Sequence, residues 1–292
     1  MIASNVRART WIAVLTLVFV WSPGLSGTAQ PTSEAPAVWP NDPFEQHLLP
    51  PDVNAYRNAG TNLPDVTRRV ETLTNEERTA QGHTALTILP RLNRIACRHN
   101  KDMLAHSYSG HEDSDGRRVG DRLTREHRTL LVTGYGENVF QAWGKATQDR
   151  DLASTTVDSW MKSPPHRKNI LRRSYTHLGV CVTKADDQLR ATQVFATVAG
   201  RLATPLPWAP STKDSLTITV QAASDLQFRR YAFPRVDQRE AFEFDQTVSF
   251  QGVLRVPSAP GRYELRMAHV DAEGDGRTFH YSFGPRIDAT AR

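Results

Sequence analysis

Three residues of this chain sit in company that suits chemistry: His111 in SYSGHEDSDG, Glu137 in GYGENVF and His166 in WMKSPPHRKNIL. The neighbours of His111 are small and turn-forming, a poor setting for a buried structural imidazole, so it is either exposed or part of a site. Glu137 leads into apolar Val139 and Phe140, and a carboxylate taken into a core alone is costly. It needs a partner, and two imidazoles could serve directly or through a metal. Neutral imidazoles ligate zinc or a similar divalent ion. Two protein ligands are fewer than a structural or a usual catalytic zinc site has. An ion on His111 and His166 would therefore be weak, exchangeable and partly water-coordinated. With water bound, Glu137 could act as the base of a metal-assisted hydrolysis. The same residues could instead form a hydrogen-bonded network lining a binding site. No nucleophile makes a convincing triad with either histidine. Cys97 lies two residues from His99, and on a helix side chains so spaced diverge.

The elements around these residues follow from periodicity. A helix is expected from Pro64 to about Gln81, with Gly82 at its C-terminal cap. A second follows Pro90, where Leu92, Ile95, Ala96, His99 and Met103 form one buried stripe. His99 reads as a hydrogen-bonded core residue of that stripe. Ser107 to Gly136 is polar and glycine-rich and reads mostly as loop. A third helix spans about Asp149 to Lys162, its acids at the dipole-positive start and Ala153, Val157, Trp160 and Met161 inward. Ser163 then caps a new helix. Pro164 and Pro165 have no N–H to give it, so its local partner would be the backbone of His166. Two fixed φ angles and that bond would hold the imidazole on the first turn. Strands are expected at His177 to Thr183 and Thr192 to Val198.

After Leu202 the pattern changes. Residues 203–212 are a stiff proline-rich linker, and short alternating runs follow at Leu216–Val220, Val248–Phe250, Tyr263–Met267 and Phe279–Phe283. Pro260-Gly261 and Gly274-Asp275-Gly276 supply turns, and 213–292 reads as an all-β sandwich with a surface for an extracellular partner. Asp271 to Gly276 resembles the start of a calcium loop, but position twelve is Ser282 where glutamate is needed. A hairpin turn is the expectation.

At the other end, Arg7 and Arg9 precede an apolar stretch from Trp11 to Trp21, followed by Pro23, Gly24 and Gly27-Thr28-Ala29. That is the layout of a secretory leader over 1–29, too short in its apolar part to span a bilayer comfortably. Residues 30–64 are a proline-rich arm. Removing the leader takes the net charge from +5 to +3, too little to argue for nucleic acid. The expected product is secreted, extracellular or periplasmic, without a stable membrane anchor. The arginines at 117, 118, 122, 125 and 128 are interleaved with acids and read as a solvated face. Export makes a bond between the two cysteines, Cys97 and Cys181, chemically possible. Closing that loop would stabilise the fold by about 4 to 5 kcal/mol if strain is small.

SGHEDSDG, GYGENVF and WMKSPPHRKNIL, in this order, resemble the signature stretches of the CAP superfamily: cysteine-rich secretory, antigen-five and plant pathogenesis-related proteins. LTNEERTAQG at 73–82 resembles the opening helix of its bacterial branch. The resemblance implies an α+β fold over 65–202, a three-layer α-β-α sandwich with a central cleft, followed here by the small all-β, immunoglobulin-like sandwich. It puts His111, His166 and Glu137 in the cleft, supported by Asn138 and Ser163. Animal and plant members carry a second cleft glutamate three residues after the helix tryptophan. That position is Ser163 here, so the acid is absent. Three readings stay open: a binding module for a small-molecule, lipid or peptide ligand, a metal-dependent hydrolase resembling a peptidase, and a purely structural role. The missing acid and the thin ligand set favour binding.

Overall fold

The computed structural model describes residues 50, 52, 56, 58–148, 151–236, 244–271 and 278–291. The expected leader, most of the proline-rich arm, Asp149 and the Gly274–Gly276 turn lie outside them.

Helix α1 (Pro64–Ala80) starts with proline in its first turn, where a missing N–H costs nothing. It buries Thr67, Val70, Thr74 and Arg78 along one stripe. It stops before Gly82, whose φ of +71° a residue with a side chain adopts only under strain. Helix α2 (Pro90–Ala105) buries Leu92, Ile95, Ala96, His99 and Met103, the stripe read from the sequence. Helix α4 (Leu152–Lys162) is capped by Asp151, whose carboxylate accepts from Ser154 N at 3.0 Å. It is followed directly by α5 (Pro164–Ile170).

Between α2 and α4 lies more structure than a loop. Helix α3 (Val119–Glu126) and the start of strand β3 (Leu130–Trp143) occupy part of the stretch expected to be irregular. The reason is visible in the stripe of α3. Val119, Arg122, Leu123 and Glu126 recur at i, i+3, i+4 and i+7 and all are buried. Half of that stripe is charged, so a count of apolar residues passes over it. The arginine cluster is corrected for the same reason. Arg122 and Arg128 are 2% and 0% exposed, because each has buried acceptors waiting.

The sheet is built around β4 (His177–Ala185) and β5 (Gln188–Leu202), both longer than expected. Short strands β1 (Thr61–Asn62) and β2 (Thr87–Ile88) flank β4, and β7 (Val220–Ala222) flanks the end of β5. Strand alternation sorts the side chains onto two faces. Leu178, Val180, Val182, Ala191 and Phe195 meet α1, α4 and α5 in one core, while Cys181, Val194 and Ala196 meet α2 and α3 in another. This is the α-β-α layering. Cys97 of α2 and Cys181 of β4 are disulfide-bonded with their Cα atoms 5.0 Å apart, so the staple ties one helical layer to the sheet.

The C-terminal region is all-β, as its alternating runs require. Strands β11 (Gly261–Asp271) and β12 (His280–Ala289) form its long pair, flanked by β8 (Leu226–Ala232) and β9 (Val248–Ser249). Facing them, β6 (Ser215–Thr217) pairs with β10 (Val253–Arg255). These strands are not set apart from the first layer. β12 pairs with β3 at Phe283 and Val132, so the sheet order runs β1-β4-β5-β3-β12-β11-β8-β9. Leu131 and Leu202 also sit in the core formed by Tyr231, Leu254, Leu265 and Ile287.

The proline-rich 203–212 segment is fastened rather than loose. Leu206 is fully buried, and Arg128 donates to the carbonyls of Leu206 and Pro207, both at 2.9 Å, and of Arg286 at 2.5 Å. The guanidinium also lies against the Trp208 ring. Among the described residues its partners are carbonyls and a ring face, and burial lowers its pKa. No helix among the described residues is long and apolar enough to cross a membrane.

Candidate functional site

The site forms where β3 runs past α5, α3 and the loop after α2. Glu137 sits on β3 with a side chain only 2% exposed. Its Oε1 lies 2.9 Å from His111 Nδ1, and its Oε2 accepts a short bond from Arg122 Nη2. Burial alone pushes the Glu137 pKa up. The His111 hydrogen bond and the Arg122 charge outweigh it and hold the carboxyl below its ordinary value. The acid is therefore ionised near neutrality and can only accept, so His111 Nδ1 carries the proton of that bond. In the neutral ring this leaves Nε2 as the lone-pair nitrogen, on a side chain 54% exposed.

The loop carrying His111 is tied down from below. Asp102 of α2 accepts from Ser114 N at 2.9 Å and Ser114 Oγ at 2.6 Å, and from the Tyr108 hydroxyl. Asp113 accepts from Arg117 N and Nε, both at 2.8 Å, so the Asp113-Ser114-Asp115-Gly116 string makes a turn. Arg122 Nη1 reaches the carbonyls of Arg117 at 2.6 Å and His111 at 3.2 Å. One guanidinium thus holds both the acid and the backbone of its imidazole partner.

His99 is the core histidine it was expected to be. Its Nε2 donates to Gly110 O at 2.8 Å, and Glu137 Oε1 is 4.0 Å away. Burial, and then the Arg122 charge, lower its pKa, so it is neutral.

His166 opens α5. Burial pulls its pKa down, so the ring is neutral at neutral pH. The expected cap needs correction. Ser163 is the N-cap of α5, but its side chain makes no capping bond. It also ends α4, with its N–H on Trp160 O at 3.1 Å and its carbonyl accepting from Arg167 N at 2.9 Å. A residue shared by two helices has its backbone set by both. What holds His166 is Asn138, fully buried, whose Nδ2 donates to His166 O at 3.1 Å and to Gln193 Oε1 at 3.0 Å. Gln193 in turn donates to Thr74 Oγ1 of α1.

The outer edge of β3 is finished by side chains instead of a strand. Tyr175 Oη donates to Tyr135 O at 3.0 Å, Asn169 Nδ2 to Glu137 O at 3.1 Å, and Trp160 Nε1 to Val139 O at 3.2 Å. These are alternate residues, whose carbonyls share one edge. Gly136 lies between them because a Cβ there would collide with the Tyr175 hydroxyl.

The structure therefore gathers His111, Glu137, His166 and Asn138, leaves Ser163 without a side-chain role, and places Cys97 and Cys181 in the staple. Sequence reasoning missed Arg122, Asn169 and Gln193. Arg122 was detectable as the polar member of a helical stripe. The other two carry no local signal. Glu137, with both oxygens engaged and a guanidinium beside it, is a poor ligand for a divalent ion. Among the described residues no group of three or more His, Cys, Asp or Glu is placed to hold a metal.

Comparison with known proteins gives the following matches. Residues 71–198 match the model of the cysteine-rich secretory protein family, CAP. The Bacillus subtilis (strain 168) protein YkwD is 30% identical over 152 residues, which is 52% of this chain and 56% of YkwD. The B. subtilis membrane protein YlbC is 28% identical over 117 residues, 40% of this chain and 31% of YlbC. The match thus spans about half of the first relative and under a third of the second. Among solved structures, an extracellular SCP-domain protein of Bacillus anthracis str. Ames is 26% identical. It covers 51% of this chain and 44% of its own, with a TM-score of 0.39. Residues 71–198, the stretch that contains His111, Glu137 and His166, thus match the CAP family of cysteine-rich secretory proteins.

Proposed function

We propose that this chain is an extracellular binding module whose ligand seats against His111 and His166. One observation carries the reading: both oxygens of Glu137 are engaged, one by His111 and one by Arg122. A general base needs a lone pair turned to the proton it removes. This carboxylate instead orients an imidazole, in the manner of acids behind metal- or ligand-binding histidines. The lone-pair nitrogen of His111 and the neutral ring of His166 then face a ligand as acceptors, or hold a divalent ion weakly with water completing its shell.

The test is calorimetry on the full exported chain with Zn²⁺, alongside thermal-shift panels of glycans, lipids and peptides. Wild type should show a binding partner that His111→Ala with His166→Ala loses. Identical behaviour of the two proteins in every panel would overturn the module. Turnover of a peptide or ester library that disappears on Glu137→Gln would establish hydrolysis in its place.

A further inference from the structure

The cleft does not end at the CAP residues. A cavity of about 480 Å³ runs from His111 and Glu137, past Tyr135, onto Glu264, Arg266, Phe283 and Arg286 of β11 and β12. Its volume lies within the range of small-ligand sites, roughly 300–1,000 Å³. We infer that the C-terminal strands complete the CAP cleft as one composite site, and that its ligand is a neutral carbohydrate. This rests on the binding-module reading and adds the second wall and the ligand class.

The charge pattern selects against ions. Arg286 Nε donates to Glu264 Oε2 at 2.9 Å and its Nη2 to Asp121 Oδ1 at 2.5 Å. Arg266 Nη1 is 2.6 Å from Glu264 Oε1, and Glu137 holds Arg122. Every carboxylate in the wall already has a guanidinium. A charged ligand would have to break a pair to gain one, and would exchange one desolvated contact for another. A polyhydroxylated neutral ligand need break nothing. A guanidinium has five N–H groups, so the existing pairs leave donors for hydroxyls.

The apolar part fits the same class. Tyr135 is 39% exposed and meets Phe283 edge-on at 6.1 Å, while the Arg266 guanidinium lies 4.0 Å over the Phe283 ring. The exposed Tyr135 ring offers a face for the C–H side of a sugar, and the described lining of this cavity is mostly polar, a poor seat for a lipid chain. An extended peptide would bind such a sheet by adding to the edge of β3. The Tyr135, Glu137 and Val139 carbonyls there are already taken by Tyr175, Asn169 and Trp160.

The experiment is a glycan array of neutral and acidic oligosaccharides on the full exported chain. Calorimetry with the best neutral oligosaccharide follows, with peptide and phospholipid-vesicle controls. A neutral oligosaccharide should bind, with an affinity insensitive to added salt because no charge is neutralised. Loss of the aromatic anchor in Tyr135→Ala should weaken it about tenfold, and Tyr135→Phe, which keeps the ring, should recover most of that. Arg266→Gln should also weaken it, with thermal melts showing that the variant folds. If His111→Ala with His166→Ala abolishes binding but Tyr135→Ala and Arg266→Gln do not, the module stands and the composite wall is wrong. Binding only of acidic glycans, peptides or vesicles overturns the carbohydrate assignment, and no binding by any panel overturns both readings.

Discussion

Two buried arginines, Arg122 and Arg128, divide the labour of this molecule between its cleft and its seam. In the cleft, Arg122 meets a carboxylate and the pair positions an imidazole. At the seam with the C-terminal strands, Arg128 meets backbone carbonyls and a tryptophan face. The first arrangement depends on the protonation of a partner. The second depends only on the backbone being in place.

The seam should be the more expensive to damage. Arg128→Ala removes the donor for four carbonyls at once and should destabilise by about 3–5 kcal/mol in urea melts. Arg128→Lys should recover little, because a single ammonium cannot reproduce the fork. Proteolysis should then begin in 203–212. Next comes the cleft. Glu137→Gln leaves Arg122 buried without a counter-charge and should cost about 2–3 kcal/mol, while the C-terminal region stays docked.

Acid separates the two more finely. The folded pKa of Glu137 lies below its ordinary value, so its contribution is complete above the unfolded pKa of about 4.3 and is lost as pH falls through the folded one. Stability measured downward from about pH 5 should therefore fall more steeply in wild type than in Glu137→Gln. Arg128→Ala should keep the wild-type slope. The smallest effect belongs to Ser163→Ala, within about 0.5 kcal/mol, since its hydroxyl caps nothing in α5. A larger loss would restore the capping role that the sequence suggested.

That last case shows what a sequence conveys and what it does not. The stripes of α1 and α2, the Gly82 stop and the alternation of β4 and β5 were legible because each repeats a simple period of apolar residues. His111, Glu137 and His166 were legible because polar residues stood where the local pattern gave them no structural reason to be. Helix α3 was hidden because its inward face carries arginine and glutamate, which look solvated until a buried acceptor is known. Asn138 could be named as support, yet its bond to the His166 carbonyl joins residues 28 apart in sequence, and no local rule predicts that. Ser163 failed for the opposite reason: the local rule was sound, but a second helix ended on the same residue. The continuity of the sheet was invisible, since which strand edge accepts β12 is decided by packing of Leu131 and Leu202 far from it in sequence.

The joint between β3 and β12 has a consequence for whether the two regions could stand apart. The two strands share one paired position, Phe283 with Val132, and the attachment is completed by the pairing of β7 with β5, the Arg286–Asp121 ion pair, Arg128 and a shared core. Because the joint is built from β3, β5 and α3 together, loss of the C-terminal strands would expose Leu131 and Leu202 and leave the inner strands without a neighbour. The same loss would uncover one side of the cavity that reaches from Glu137 to Arg286, so the two regions are folded as parts of one sheet rather than as separable units.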